Sequence, residues 1–302
     1  MKKFLRSLVA ILLAMLLLMC FIACDIVSEK KNINDPDKNT TDPGTDDKNP
    51  GQSKENATIS EQKCFEYNGI VVTAKELVSS SIWGDGIKIA IENNGTGNYT
   101  VSTEAVIVNN YMINSLFVCE VAAGKKANDT LYLSSSDLKA AGIDNIGQIE
   151  IYFYVYDSST YNTVYTANCV TINTSLYSQM DTTVNDSGHV LYNEGGIKIV
   201  GKYVEEDTFW GSSVLLYIEN KSTRNITVSC EDMSINGYMV SGLLSSTVYK
   251  NKCTIDDISI FSSDLEKNGI TSINEIELKF HIFNSSTYDT IVNTGTISFQ
   301  VG

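Results

Sequence analysis

A shift of 127 residues lays the chain on itself without a gap, and this internal repeat limits the folds open to it. Trp83-Gly84 falls on Trp210-Gly211 and Ile91-Glu92-Asn93 on Ile218-Glu219-Asn220. Thr100-Val101-Ser102 falls on Thr227-Val228-Ser229, Tyr111-Met112 on Tyr238-Met239, and Ser158-Ser159-Thr160-Tyr161 on Ser285-Ser286-Thr287-Tyr288. Solenoids and propellers repeat at about 20–50 residues, so a period this long reads as a duplicated domain.

Within each copy the apolar residues alternate with period two. Ile149, Ile151, Phe153 and Val155 interleave with Glu150, Tyr152, Tyr154 and Tyr156. Ile276, Leu278, Phe280 and Ile282 interleave with Glu277, Lys279, His281 and Phe283. Such alternation predicts half-buried antiparallel strands. Copy one holds seven runs, near 69–78, 86–93, 98–108, 111–121, 129–134, 147–156 and 161–172. Seven short strands in about 110 residues suggest an immunoglobulin-like sandwich. The expected fold is all-β: two tandem seven-stranded antiparallel Ig-like β-sandwiches, at 64–172 and 189–302, joined by a polar linker at 173–188. One short helical turn interrupts each copy. Ser263-Asp264-Leu265-Glu266 reads as a capping box and Gly269 as its left-handed exit; copy one has Ser136 and Gly142 but Lys139 in place of the Glu.

The N-terminal 63 residues are of another kind. Lys2, Lys3 and Arg6 precede an apolar run of 16 residues, Leu8 to Ala23, which is short for a bilayer span and suits a secretory signal. It ends Phe21-Ile22-Ala23-Cys24, a small residue before a cysteine, which resembles a bacterial lipoprotein signal. That resemblance implies cleavage after residue 23 and acylation of Cys24. An ordinary secretory signal or an uncleaved anchor helix are the alternatives. Residues 25–63 are rich in Asp, Asn, Lys, Thr and Gly and hold all three prolines, Pro36, Pro43 and Pro50, so they predict a disordered tether after the lipidated Cys24. Asp35, Asp37, Asn39 and Asp46 touch the spacing of an EF-hand loop, but Thr40 stands where the turn glycine belongs, so no calcium site is expected.

Net charge is −14 for the whole chain, and removal of Lys2, Lys3 and Arg6 with the leader leaves 19 basic against 36 acidic residues. A chain this acidic lacks the basic footprint of a nucleic-acid binder, and its attachment to a membrane is assigned to the lipid rather than to surface charge.

Catalytic chemistry finds little support. There are two histidines, His189 and His281, and neither has Cys or His neighbours at zinc spacing. No phosphate loop, nucleophile elbow or dinucleotide fingerprint is present. The matched carboxylates Glu92/Glu219, Glu104/Glu231 and Glu150/Glu277 read as positions the shared fold requires. No enzyme activity, cofactor or metal is therefore expected. Cys64, Cys119, Cys169, Cys230 and Cys253 have no cysteine counterparts in the other copy, so they form no repeated disulfide framework.

Aromatic residues remain. Trp83 and Trp210 are equivalent, each before a strand, and read either as core plugs or as stacking platforms for a sugar ring. Tyr152, Tyr154 and Tyr156 project from one strand face. A tight hairpin at 157–160 would pair Tyr156 with Tyr161 and Tyr152 with Tyr165, giving an aromatic ladder that is either ordinary cross-strand pairing or a binding face.

Three segments carry a family resemblance: Ser234-Ile235-Asn236-Gly237-Tyr238-Met239, Gly124-Lys125-Lys126-Ala127-Asn128-Asp129, and Ser262 to Ile291 centred on Phe280-His281-Ile282-Phe283. They resemble uncharacterised Ig-like domains of lipoproteins and membrane-anchored proteins of Gram-positive anaerobes. Each copy departs somewhere: Asn110 stands for the Gly, and Lys250-Asn251-Lys252-Cys253 replaces the Gly-Lys-Lys turn. The resemblance implies a fold and an extracytoplasmic location and brings no catalytic residues. The expected function is non-catalytic binding of a protein or glycan by a lipid-anchored surface protein; the alternative is a passive structural spacer or envelope-stress component without a high-affinity ligand, and a hydrolase is the reading least supported.

Overall fold

The computed structural model describes residues 30–34, 57–80, 84–208 and 211–302. They are overwhelmingly strand, as the period-two alternation requires. β1 (Lys30–Asn34) comes first. The first half then runs β2 (Gln62–Tyr67), β3 (Ile70–Ser80), β4 (Gly84–Asn93), β5 (Tyr99–Val108), β6 (Tyr111–Met112), β7 (Ser115–Leu116), β8 (Val118–Val121), β9 (Lys126–Leu133), α1 (Ser135–Ala140), β10 (Gln148–Asp157), β11 (Thr163–Thr166) and β12 (Val170–Asn173). The second half runs β13 (His189–Glu194), β14 (Ile197–Thr208), β15 (Gly211–Asn220), β16 (Ile226–Ile235), β17 (Tyr238–Met239), β18 (Gly242–Leu243), β19 (Ser245–Val248), β20 (Lys252–Phe261), α2 (Ser262–Lys267), β21 (Glu275–Asn284), β22 (Thr290–Asn293) and β23 (Ile297–Val301). Apart from β20, which begins one residue early, each element starts 127 residues after its counterpart.

In the first half, β2-β3-β4-β9-β7 form one sheet. The facing layer centres on β10, paired with β5 on one side and with β11 and β12 on the other, while β6 and β8 pair with β5. Ile89, Ile91 and Leu131 of one layer meet Val101, Phe153 and Val155 of the other in a dry core. In the second half, Val214, Leu216 and Ile218 meet Val228, Phe280 and Ile282 in the same way. The repeated Ile-Glu-Asn ends in a buried asparagine that ties its own loop to the end of a neighbouring strand. Asn93 Nδ2 donates to Gly97 O and Val121 O (2.8 and 3.1 Å), and Asn220 Nδ2 to Arg224 O and Val248 O (2.8 and 2.9 Å).

The seven expected runs are divided more finely. The run at 111–121 becomes β6, β7 and β8, because β7 crosses to the opposite layer and pairs with β9. The run at 161–172 becomes β11 and β12, broken where Ala167 N turns in to donate to Phe153 O. The expected linker begins inside the first half: Thr174 Oγ1 donates to Ile146 O, and Leu176 is buried. The expected capping box does not form. α2 is preceded by Phe261 with no side-chain cap, and Asp264 instead accepts from Ser241 N at 2.8 Å. In the first half Ser134, not Ser136, caps α1 by accepting from Asp137 N. Gly142 and Gly269 do provide left-handed exits, at φ +68° and +65°.

The tether expectation fails over Lys30–Asn34. This segment pairs antiparallel with β14 (Lys30 opposite Glu205, Asn32 opposite Tyr203), then crosses to β23 (Ile33 opposite Val301). Ile33 is buried in the second core, and Lys31 Nζ lies 2.9 Å from a Glu206 carboxylate oxygen. One apolar side chain between charges complementary to the receiving strand suffices to order five residues in an otherwise polar stretch.

The halves meet where the start of β20 pairs parallel with β6, Cys253 opposite Tyr111. Asn110 O accepts from Cys253 N at 3.1 Å. Lys252 Nζ lies 2.5 Å from Glu150 Oε1 and 3.1 Å from Asn110 Oδ1. Val200, Tyr217 and Cys253 of the second half join the first half's core.

Candidate binding face

Alternation along β10 sends Ile149, Ile151, Phe153 and Val155 into the core and leaves Tyr152, Tyr154 and Tyr156 half-buried on the outer face. The turn after β10 is built by Asp157. Its Oδ1 accepts from Ser159 N (2.9 Å), Thr160 N (2.8 Å) and Thr160 Oγ1 (3.1 Å), and these bonds hold the carboxyl below the usual aspartate range. Tyr161 N then donates to Asp157 O at 2.8 Å. This places Tyr161 at φ +61°, in the left-handed region, with its side chain 77% exposed. Its ring stacks on Tyr156 (centroids 6.2 Å, 28°), which stacks on Tyr154 (6.0 Å, 29°).

The second half builds the same device from different rings. Asn284 Oδ1 accepts from Ser286 N and Thr287 N. Tyr288 sits at φ +62° and is 76% exposed. It stacks on Phe283 at 6.2 Å, and Phe283 lies 5.1 Å from His281.

Two of the expected tyrosines leave the face. Tyr165 is opposite Val155, not Tyr152: the turn is two residues longer than a tight hairpin, which sets Thr163 rather than Tyr161 opposite Tyr156, and the ladder then slips by one more residue between Val155 and Tyr156. A one-residue slip turns a side chain to the other face. Tyr165 therefore stacks on Tyr67 (4.4 Å, 11°) and packs against the first core. Tyr152 keeps its side of the strand but is edge-on to Tyr249 of the second half at 4.8 Å, in a small cluster with Ala105, Ile107 and Met112. Burial there pushes its hydroxyl pKa up. The ladder on the outer face is thus the half-buried Tyr154 and Tyr156 and the exposed Tyr161. Trp83, Trp210 and Cys24 lie outside the described residues.

His281 Nδ1 is 3.4 Å from Glu231 Oε1, and its Nε2 is 3.1 Å from Thr290 Oγ1. The order carboxylate, imidazole, hydroxyl has the connectivity of a hydrolase triad. It lies on the open surface of β21 and β22, however, with Thr290 exposed. Burial pushes the Cys64 thiol up to about 11 and those of Cys230 and Cys253 up to about 12, so these thiols are protonated at neutral pH and are poor nucleophiles. The five described cysteines are unpaired. Among the described residues no cluster of three or more potential metal ligands occurs, and no helix is long and apolar enough to cross a membrane.

Sequence reasoning missed a polar cleft of about 230 Å³ between the halves, lined by Glu104, Met112, Ser115, Ser246, Thr254 and Asp256 among others. Burial raises the Asp256 pKa. The signal for this junction was in the sequence. The two departures from repeat symmetry, at Asn110 and at Lys250 to Cys253, are the residues that join the halves.

No family model matches the chain, and no curated protein matches it. Among solved structures, the chain is similar to one in the crystal structure of the CsuC-CsuE chaperone-tip adhesion subunit pre-assembly complex from archaic chaperone-usher Csu pili of Acinetobacter baumannii. The match has 12% identity and a TM-score of 0.21, and covers 73% of this chain and 93% of that one. A score that low carries no argument about fold or function.

Proposed function

We propose that this protein is a lipid-anchored, extracytoplasmic protein that acts by non-catalytic binding of a glycan or protein partner. Two Ig-like sandwiches form its body, and the stacked tyrosines at the tip of β10 form its contact. The anchor is read from the leader ending at Cys24. One observation carries the binding role: Tyr161, an exposed aromatic held at positive φ and stacked on Tyr156 and Tyr154. A bulky residue in that conformation costs about 1–3 kcal/mol, and such strain gathers at ligand-contacting sites. Aromatic pads rimmed by Ser, Thr and Asn suit the apolar face of a sugar or a flat protein epitope.

The test is retention of the full-length protein on a glycan panel and on cell-wall fractions, beside a Tyr154→Ala/Tyr156→Ala variant, with the mass of the mature N-terminus read in parallel. The expected result is an acylated Cys24 and binding by the wild type alone. A second reading, a rigid stand-off spacer, is favoured by the burial of Tyr152 between the halves. It becomes the better account if neither chain binds anything.

A further inference from the structure

We propose that the end of the second half carrying Tyr238, Met239, Leu243 and Phe261 is the surface that rests on the lipid bilayer. The inference rests on the anchoring reading above and adds where, and which way up, the body sits. Three observations converge on that end.

The first is the route of the chain. Partners run in register across one sheet from Lys30 to Glu205, Ser213, Ser259 and Leu243. The chain therefore enters β1 at the level of Leu243, and Phe261 lies further out, opposite Gly211. From Cys24 to Lys30 the chain can span at most about 20 Å. An acyl group on Cys24 would hold this end near the membrane, although it belongs to the C-terminal half.

The second is exposure. Tyr238, Met239, Leu243 and Phe261 are 53, 66, 60 and 40% exposed. In the first half the counterparts of Tyr238 and Met239 are Tyr111, which is buried, and Met112, which is half-buried; both lie at the junction with the second half. The Tyr-Met pair is thus covered in one half and bare in the other, while Leu116, the counterpart of Leu243, is exposed as well. Tyr238 has an amphipathic ring of the kind that settles at a membrane–water interface.

The third is charge. Lys30 and Lys31, at the entry point, are paired with Glu205 and Glu206. Neutralised basic side chains beside an apolar patch suit zwitterionic headgroups better than strongly anionic ones.

The test is amide hydrogen exchange on the full-length acylated protein in phosphatidylcholine vesicles and in detergent-free solution. The expected result is exchange slowed by about tenfold on vesicles at 236–243 and 259–263, with 221–225, at the opposite end of the second half, unchanged. A Met239→Glu/Leu243→Glu variant, changed only at exposed positions, should stay on vesicles through its lipid yet lose this protection. Unchanged exchange at 236–243 in vesicle-bound, acylated protein would overturn the patch and leave the anchor standing. Protection that rises with protein concentration without lipid would mean that a second copy covers the surface, and would also overturn it. An unmodified Cys24 in a chain that stays off vesicles would remove the anchor and the patch together.

Discussion

Tyr161 and Tyr288 share the left-handed conformation that glycine or asparagine ordinarily fills after a tight hairpin turn. Their backbones are held there by Asp157 and Asn284, and the rings are turned to solvent rather than into the core. Replacement of Tyr161 by Gly removes the strain and also the stack on Tyr156. With each effect near 1 kcal/mol, thermal unfolding should move by no more than about 1 kcal/mol in either direction while partner binding is lost. The two turns also differ in charge, which makes one a control for the other. The Asp157 carboxyl is depressed below the unfolded value of about 3.9, so its contribution is present above that value and disappears as pH falls through the folded value. Acid titration by NMR should therefore loosen the Ser159 and Thr160 amides below about pH 4. Ser286 and Thr287, held by the neutral Asn284, should not respond over the same range.

At the scale of elements, the strands were legible where burial on one face imposes period-two alternation, as at 148–157 and its counterpart at 275–284. What was illegible depended on a single inserted residue or on distant partners. The slip between Val155 and Tyr156 turned Tyr165 to the face that packs against the core, and no local feature announces it. β1 was hidden because its only apolar anchor is Ile33 and its charge partners, Glu205 and Glu206, lie far along the chain. An Ile33→Asp substitution should release β1. Limited proteolysis should then cut within 30–34, and the second half should lose about 2–4 kcal/mol. The Lys252–Glu150 pair is 14% and 13% exposed, so Lys252→Ala leaves a buried carboxylate without its cation. A loss of about 3 kcal/mol is expected, with calorimetry resolving the halves into separate transitions. A Lys252→Met/Glu150→Met double variant should recover much of it. A single undisturbed transition in Lys252→Ala would show that the junction couples the halves by apolar packing alone.

At the scale of the molecule, β20 links the parts. Cys253, at its start, meets the first half, and Phe261, at its end, lies beside the entry of the N-terminal segment. β10 likewise has Glu150 at the junction and Asp157 at the far tip. β20 pairs parallel with β6, and β6 and β10 are both antiparallel to β5, so at the junction β20 and β10 run the same way and the halves lie side by side there. Of the candidate site, the tip tyrosines could be read from sequence, but the positive φ of Tyr161 and the pairing that takes Tyr165 off the face could not, because both depend on how the turn after β10 closes. The most direct test compares three full-length chains on one cell-wall fraction: wild type, Tyr161→Gly and Tyr288→Gly. The account predicts binding by the wild type, loss in Tyr161→Gly, near-full retention in Tyr288→Gly, and matching unfolding curves for all three. Equal binding by all three would contradict it, since the tyrosine ladder would then not be the contact.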